Sequence, residues 1–129
     1  MKEHKEQAAA LMAAGSRDAL TLQLLNQAGR APHESIGFHA QQACEKFIKA
    51  RLVLNGIIFE RTHDLVALCR LASQHKIAIP VDVETLRALN SYAVQFRYEG
   101  CAIELVPSSE CEVVTFCLSA WVNDAFDQA

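Results

Sequence analysis

Long apolar runs are missing from this chain, and so is any excess of positive charge. No stretch approaches the roughly 18 to 20 apolar residues that a membrane span requires. The amino terminus, Met1-Lys2-Glu3-His4-Lys5-Glu6-Gln7, is charged and leads only into a short apolar stretch, Ala8 to Ala14, without a signal-peptide core. A cytoplasmic protein is therefore expected. With 12 basic and 15 acidic residues, net charge −3, the chain is not built to hold nucleic acid by bulk phosphate neutralisation, so any anion site must be local. There is no glycine-rich phosphate loop, no C-x-x-C pair, no low-complexity segment and no internal repeat. The five cysteines, Cys44, Cys69, Cys101, Cys111 and Cys117, are odd in number and fall mostly where a helix would show its apolar side. They read as reduced, largely buried thiols, because free cysteine packs like a small hydrophobe. His4, His33, His39, His63 and His75 are scattered without metal-ligand spacing, so neither a structural zinc nor any other cofactor is expected.

What is present is a chain of 129 residues, 51% hydrophobic, long enough for one core and too short for two. A single domain covering residues 1–129 is expected. Punctuation divides it into about five helices, which predicts an all-α antiparallel bundle of four to five helices. The first runs from near Lys5 to Ala28, with a bend allowed at Gly15-Ser16 and a stop at Gly29. The second begins beside Pro32, placed in its first turn, and ends at Asn55-Gly56. Thr62 is a candidate cap for a third, carrying Leu65, Leu68, Cys69 and Ala72, with Pro80 beyond its end. Asp82 caps a fourth that reaches about Phe96 or Tyr98. Ser109 and Glu112 have capping-box spacing for a fifth, with Val113, Cys117, Ala120 and Trp121 as its apolar side. The short apolar runs Ile57-Ile58-Phe59 and Ala102-Ile103 are too brief for a sheet.

The second helix carries the most information. Ile36, Ala40, Ala43, Cys44, Phe47, Ala50 and Leu54 fall within an arc of roughly 120°, the width of a core-facing stripe. The opposite side holds His39, Gln42, Glu45, Lys46 and Lys49. Two readings fit it: a solvated face in which Glu45 and Lys49 form an i,i+4 pair, or a small phosphate site. In the second, Lys46 and Lys49 supply charge while Gln42 and His39 supply directed hydrogen bonds. Phe38, Ile48, Leu52 and Val53 are apolar yet lie outside the main stripe, which calls for a second packing partner, another helix or another subunit.

The run Phe38-His39-Ala40-Gln41-Gln42-Ala43-Cys44-Glu45-Lys46-Phe47-Ile48-Lys49-Ala50, followed by Gly56 and by Arg61-Thr62-His63-Asp64-Leu65, resembles the pattern of the HEPN domain family. So does the later Tyr92, spaced four residues ahead of Arg97-Tyr98. The resemblance spans about residues 17 to 126 and implies a helical bundle, commonly a homodimer, often paired with a minimal nucleotidyltransferase. It further implies roles in nucleotide binding, RNA processing or toxin-antitoxin systems. On this basis the candidate nucleotide or anion site comprises Gln42, Lys46, Lys49, His39, His63, Arg97 and Tyr98. Thr62-His63-Asp64 is read first as helix initiation; the alternative is that His63 turns toward the Lys46 side.

The catalytic branch of the family resembles a metal-independent ribonuclease with an arginine, a polar residue and, four to six positions on, a histidine. Here Arg97 is followed by Tyr98-Glu99-Gly100-Cys101-Ala102-Ile103-Glu104, and no histidine stands after His75. Proton transfer near neutral pH without a metal calls for such a side chain, so no catalytic residue is assigned. Glu99 also stands where relatives often have proline, which leaves the local turn and the phosphate role of Arg97 open. Arg70 and His75 match the spacing by chance, since five helical steps set them some 140° apart. Three functions remain: a non-catalytic nucleotide- or RNA-binding module with a nucleotidyltransferase partner; a ribonuclease toxin, disfavoured by the missing histidine; and a purely structural dimerisation subunit using the surface at Phe38, Leu52 and Val53.

Overall fold

In the computed structural model, residues 2–93 and 105–129 are described, and they form helices and loops with no strand among them. Five α-helices follow in order: α1 Lys2–Ala28, α2 His33–Leu54, α3 Leu65–Gln74, α4 Val83–Leu89 and α5 Ser108–Gln128; a single 3-10 turn, Asn90–Tyr92, continues α4. The all-α bundle expected from the periodicity is the fold.

α2 is its axis. It packs along α1, against α5, and more briefly against α3, α4 and the 3-10 turn. Its buried residues therefore extend well beyond the expected stripe: Ile48 and Leu52 are fully enclosed, as are Gln41 and nearly all of Glu45. Neighbouring helices of the same chain are the packing partners of Ile48 and Leu52, so Leu52 offers nothing to another subunit. Two glycines permit the closest approaches. The Phe47 ring lies where a side chain at Gly15 would be, and the Tyr92 ring lies where one at Gly37 would be.

Helix ends account for much of the chain's course. Gly29, with φ of +76°, ends α1. At the end of α2, Gly56 N–H donates to Val53 O at 2.9 Å and Ile57 N–H to Leu52 O at 2.9 Å, the paired bonds of a Schellman motif, with Gly56 at φ +69°. α3 ends in the same way. Lys76 N–H reaches Ser73 O at 3.0 Å and Ile77 N–H reaches Ala72 O at 2.9 Å. Ile57 and Ile77, each the last residue of its motif, are both buried, so each motif turns an isoleucine back into the core.

Several starts and faces differ from expectation. Pro32 is the N-cap of α2, not a residue of its first turn, and no side chain caps that helix. Asp64, not Thr62, caps α3: its carboxylate accepts from Val66 N and Ala67 N, while Thr62 Oγ1 accepts from Asp64 N one step earlier. Asp82 does cap α4, but the α-helix ends at Leu89. The expected end near Phe96 or Tyr98 lies outside the described residues. α5 begins at Ser108 after Pro107, without a side-chain cap, so the box of Ser109 and Glu112 is not formed. Glu112 instead accepts from Asn26 Nδ2 of α1 at 3.0 Å. The inner face of α5 is Cys111, Val114, Thr115, Leu118 and Val122, whereas Val113 is 69% exposed. The assigned face was thus rotated by about one residue, roughly 100°. Of the expected set only Trp121 and Cys117 are partly covered; Arg51 lies over the Trp121 ring at 5.0 Å. Cys44 and Cys111 are buried and Cys69 and Cys117 partly so; Cys101 lies outside the described residues. Burial pushes the Cys44 thiol up from 9.0 to about 12, against an opposing hydrogen bond from Thr115, so this thiol is chemically quiet.

Lys76, at φ +60°, holds a left-handed conformation without being glycine, which strains an L-residue by about 1 kcal/mol. Lys76→Gly is expected to stabilise the fold by up to about 1 kcal/mol, a gain limited by the greater freedom of glycine when unfolded, read as a higher urea midpoint at unchanged slope.

Candidate functional site

The polar side of α2 is not a free solvated surface, because α1 and the segment entering α3 close over it. From α1, Asp18 reaches across with both oxygens: Oδ1 pairs with His39 Nδ1 at 2.9 Å and Oδ2 with the Lys46 ammonium. On the other flank, Glu45 is buried, its side chain only 6% exposed. Its Oε2 accepts from Lys49 Nζ at 2.9 Å, and its two oxygens lie 3.0 and 3.2 Å from His63 Nδ1. Gln41 Nε2 approaches the same carboxylate at 3.3 Å and donates to His63 O at 2.9 Å. Gln42 extends the Glu45 flank: its Nε2 donates to Gln41 Oε1 at 2.7 Å. Lys49 also lies 5.9 Å from the centre of the Phe59 ring.

The structure therefore brings five of the seven sequence-predicted residues, His39, Gln42, Lys46, Lys49 and His63, to one side of α2. His63 turns to Glu45, not to Lys46, and is itself 71% exposed at its side chain. Arg97 and Tyr98 lie outside the described residues. Both ammonium groups are already matched by carboxylates, so the face is nearly balanced in charge. An incoming anion would have to compete with Asp18 and Glu45. Periodicity found the i,i+4 pair of Glu45 and Lys49 but not the burial of Glu45, nor the anchoring role of Gln41. It missed Asp18 entirely, since a lone aspartate on α1 gives no local signal of what faces it.

The entry to α3 is held from another direction. Asn90 Nδ2 donates to Asp64 Oδ1 at 2.8 Å, and Leu65 N–H donates to Asn90 Oδ1 at 2.9 Å. Desolvation pulls the Asp64 carboxyl up, but the hydrogen bonds from Asn90, Ala67 N and Val66 N, together with the Arg70 charge, outweigh it and hold it below 3.8.

A second polar cluster, also unseen in the sequence, joins the start of α2 to the start of α5. His33 Nδ1 pairs with Ser108 Oγ and Nε2 with Tyr92 OH, each at 2.8 Å. A neutral imidazole offers one donor and one acceptor, and either hydroxyl can take the complementary role. Asn26 Nδ2 donates to Ser108 O at 3.1 Å, bringing in the end of α1. This cluster ties three helix ends and the 3-10 turn together. Among the described residues, no group of three or more His, Cys, Asp or Glu is placed to hold a metal ion. No described helix is long and apolar enough to cross a membrane.

Comparison with known families gives a match to the HEPN domain over residues 9–119. The chain belongs to the HEPN domain family. Among solved structures, a crystal structure of an archaeal HEPN homologue superposes with a TM-score of 0.64 over 93% of this chain and 98% of that one, at 19% sequence identity. At that identity the likeness speaks to the HEPN fold alone. No curated protein matches the chain.

Asp64→Ala removes the cap of α3 and is expected to cost about 1 kcal/mol at neutral pH. Because the folded carboxyl titrates below its ordinary value, its contribution is present above about pH 3.8 and is lost as pH falls through the lower folded value. The stability difference between wild type and Asp64→Ala, followed by denaturant titration, should therefore shrink as pH is lowered below about 3.8.

Proposed function

We propose that this HEPN domain is a nucleotide- or RNA-binding module, not catalytic by itself, that works as a homodimer with a minimal nucleotidyltransferase as protein partner. The observation that carries the reading is the gathering of His39, Gln42, Lys46 and Lys49 within an arc of about 80° on α2, two ammonium groups among directed hydrogen-bonding side chains. Asp18 and Glu45 hold the lysines in position when no ligand is bound. A phosphate would displace the Asp18 contact more readily than that of Glu45, since Glu45 has three further interactions with Gln41 and His63. Family membership supports the nucleotide chemistry. The nucleotidyltransferase partner, and with it a toxin-antitoxin setting, rests on the resemblance of the α2 motif. A ribonuclease role is disfavoured, since no histidine follows His75 in the sequence and His33, which meets the start of α5, is tied to Ser108 and Tyr92.

Calorimetric titration with ATP, GTP and a short RNA tests the site. Lys46→Ala with Lys49→Ala, shown folded by circular dichroism, should weaken binding at least 10-fold. Asp18→Asn should tighten it about 2- to 5-fold by releasing Lys46, the worth of one partly exposed ion pair. No binding by the wild type, or binding indifferent to these changes, overturns the assignment.

Homodimerisation is supported by Leu20 and Leu24 on α1 and Val113 and Phe116 on α5, which are 54%, 55%, 69% and 39% exposed and mark the outward sides of both helices. Sedimentation is expected to give twice the chain mass for the wild type, and Val113→Glu with Phe116→Glu should reduce it to the monomer.

A further inference from the structure

The α2 face that carries Gln42, Lys46 and Lys49 continues past Lys49. Val53 falls in the same arc of α2 as Gln42, Lys46 and Lys49, and His4 and Gln7 fall in the same arc of α1 as Asp18. Where α2 ends, these residues open onto a cleft of about 240 Å³ lined by His4 and Gln7, Val53, Gly56, Ile58 and Phe59. From His39 to Val53 is 14 residues of helix, so this face runs for about 21 Å. That is the span of an extended nucleotide or of a few nucleotides of single strand, not of a lone phosphate.

The lining of the cleft is unlike the polar face of α2 beside it. Ile58 is 92% exposed, which the core does not explain, and it stands beside Phe59, whose ring is half-buried with the Lys49 ammonium 5.9 Å from its centre. Gln7 is exposed at the rim and carries both a donor and an acceptor. An aromatic ring, a free aliphatic side chain and an amide are the features that receive an unpaired base, by stacking and by hydrogen bonds to its edge. The volume lies below the ~300 to 1,000 Å³ of drug-sized pockets, which suits one ring system. Lys49 touches both regions, being bonded to Glu45 on one side and lying near Phe59 on the other.

We propose that this cleft takes a nucleobase, with the ligand's phosphates running along the α2 face toward Lys49 and Lys46. The assignment rests on the reading of the Lys46 and Lys49 face as an anion site, and it adds a base subsite at the far end.

Calorimetry on the full chain with two probes, ATP and inorganic tripolyphosphate, separates the two halves. Ile58→Ser and Gln7→Ala change exposed side chains outside the core, so they leave the fold intact, and circular dichroism verifies this. ATP should bind at least 10-fold more tightly than tripolyphosphate. Each of these variants should weaken ATP at least 5-fold while leaving tripolyphosphate unchanged, whereas Lys46→Ala should weaken both probes. Equal affinity for the two probes, with neither variant altering it, overturns the base cleft and leaves the anion site standing. ATP binding that depends on Ile58 and Gln7 but not on Lys46 keeps a base cleft and removes the phosphate reading beneath it. Binding of neither probe overturns both.

Discussion

A carboxylate buried in the middle of the central helix is the constraint around which this fold is arranged. Glu45 lies almost wholly out of water, where an unpaired charge would cost several kcal/mol. It is tolerable because Lys49, His63 and Gln41 all direct N–H groups at it. Two of those three come from α2 itself, but His63 comes from the segment that follows. Satisfying Glu45 therefore draws residues 57–64 back over α2 and fixes where α3 begins. The Gln41 amide strengthens this by donating to the His63 carbonyl. No buried side-chain nitrogen or oxygen among the described residues lacks a partner, as a polar group enclosed by helices requires.

The same arrangement sets the chemistry of the outer face. α1 returns beside α2 through a short loop, and Asp18 meets His39 and Lys46 as Glu45 meets Lys49. The lysines are thus positioned without leaving a strongly positive patch, in keeping with the net charge of −3. In the proposed binding reading, one anion would exchange for another at this face, so selectivity would come from groups beyond the charges. In that reading the Gln42 amide and the cleft at the end of α2 would supply them.

At the opposite end of the bundle, the His33 cluster does with hydroxyls what Glu45 does with charge. Tyr92 packs over Gly37, and its hydroxyl meets His33, which also meets Ser108. The ring and the imidazole lie edge to face, 5.4 Å apart. α5 has no side-chain cap of its own, and this cluster, with Asn26, anchors its first turn instead.

Much of this was legible in the sequence. The helix order, the stops at Gly29 and Asn55-Gly56, the Asp82 cap and the family motif on α2 depend on residues close in sequence, where capping and periodicity act. The faces of Ile36, Ala40, Cys44 and Phe47 were readable because α2 has a strong inner stripe. α5 was misread because it is apolar on several sides, so that Val113, Cys117, Ala120 and Trp121 fit a helical period as well as Cys111, Val114, Leu118 and Val122 do. Only packing against α2 separates the two. The pairing of Asp18 with Lys46, the burial of Glu45, the choice of Asp64 over Thr62 as cap and the meeting of His33 with Tyr92 and Ser108 are tertiary results. Each joins groups 18 or more residues apart or turns on a partner such as Asn90 supplied from another element, and no local rule specifies which distant side chain will arrive.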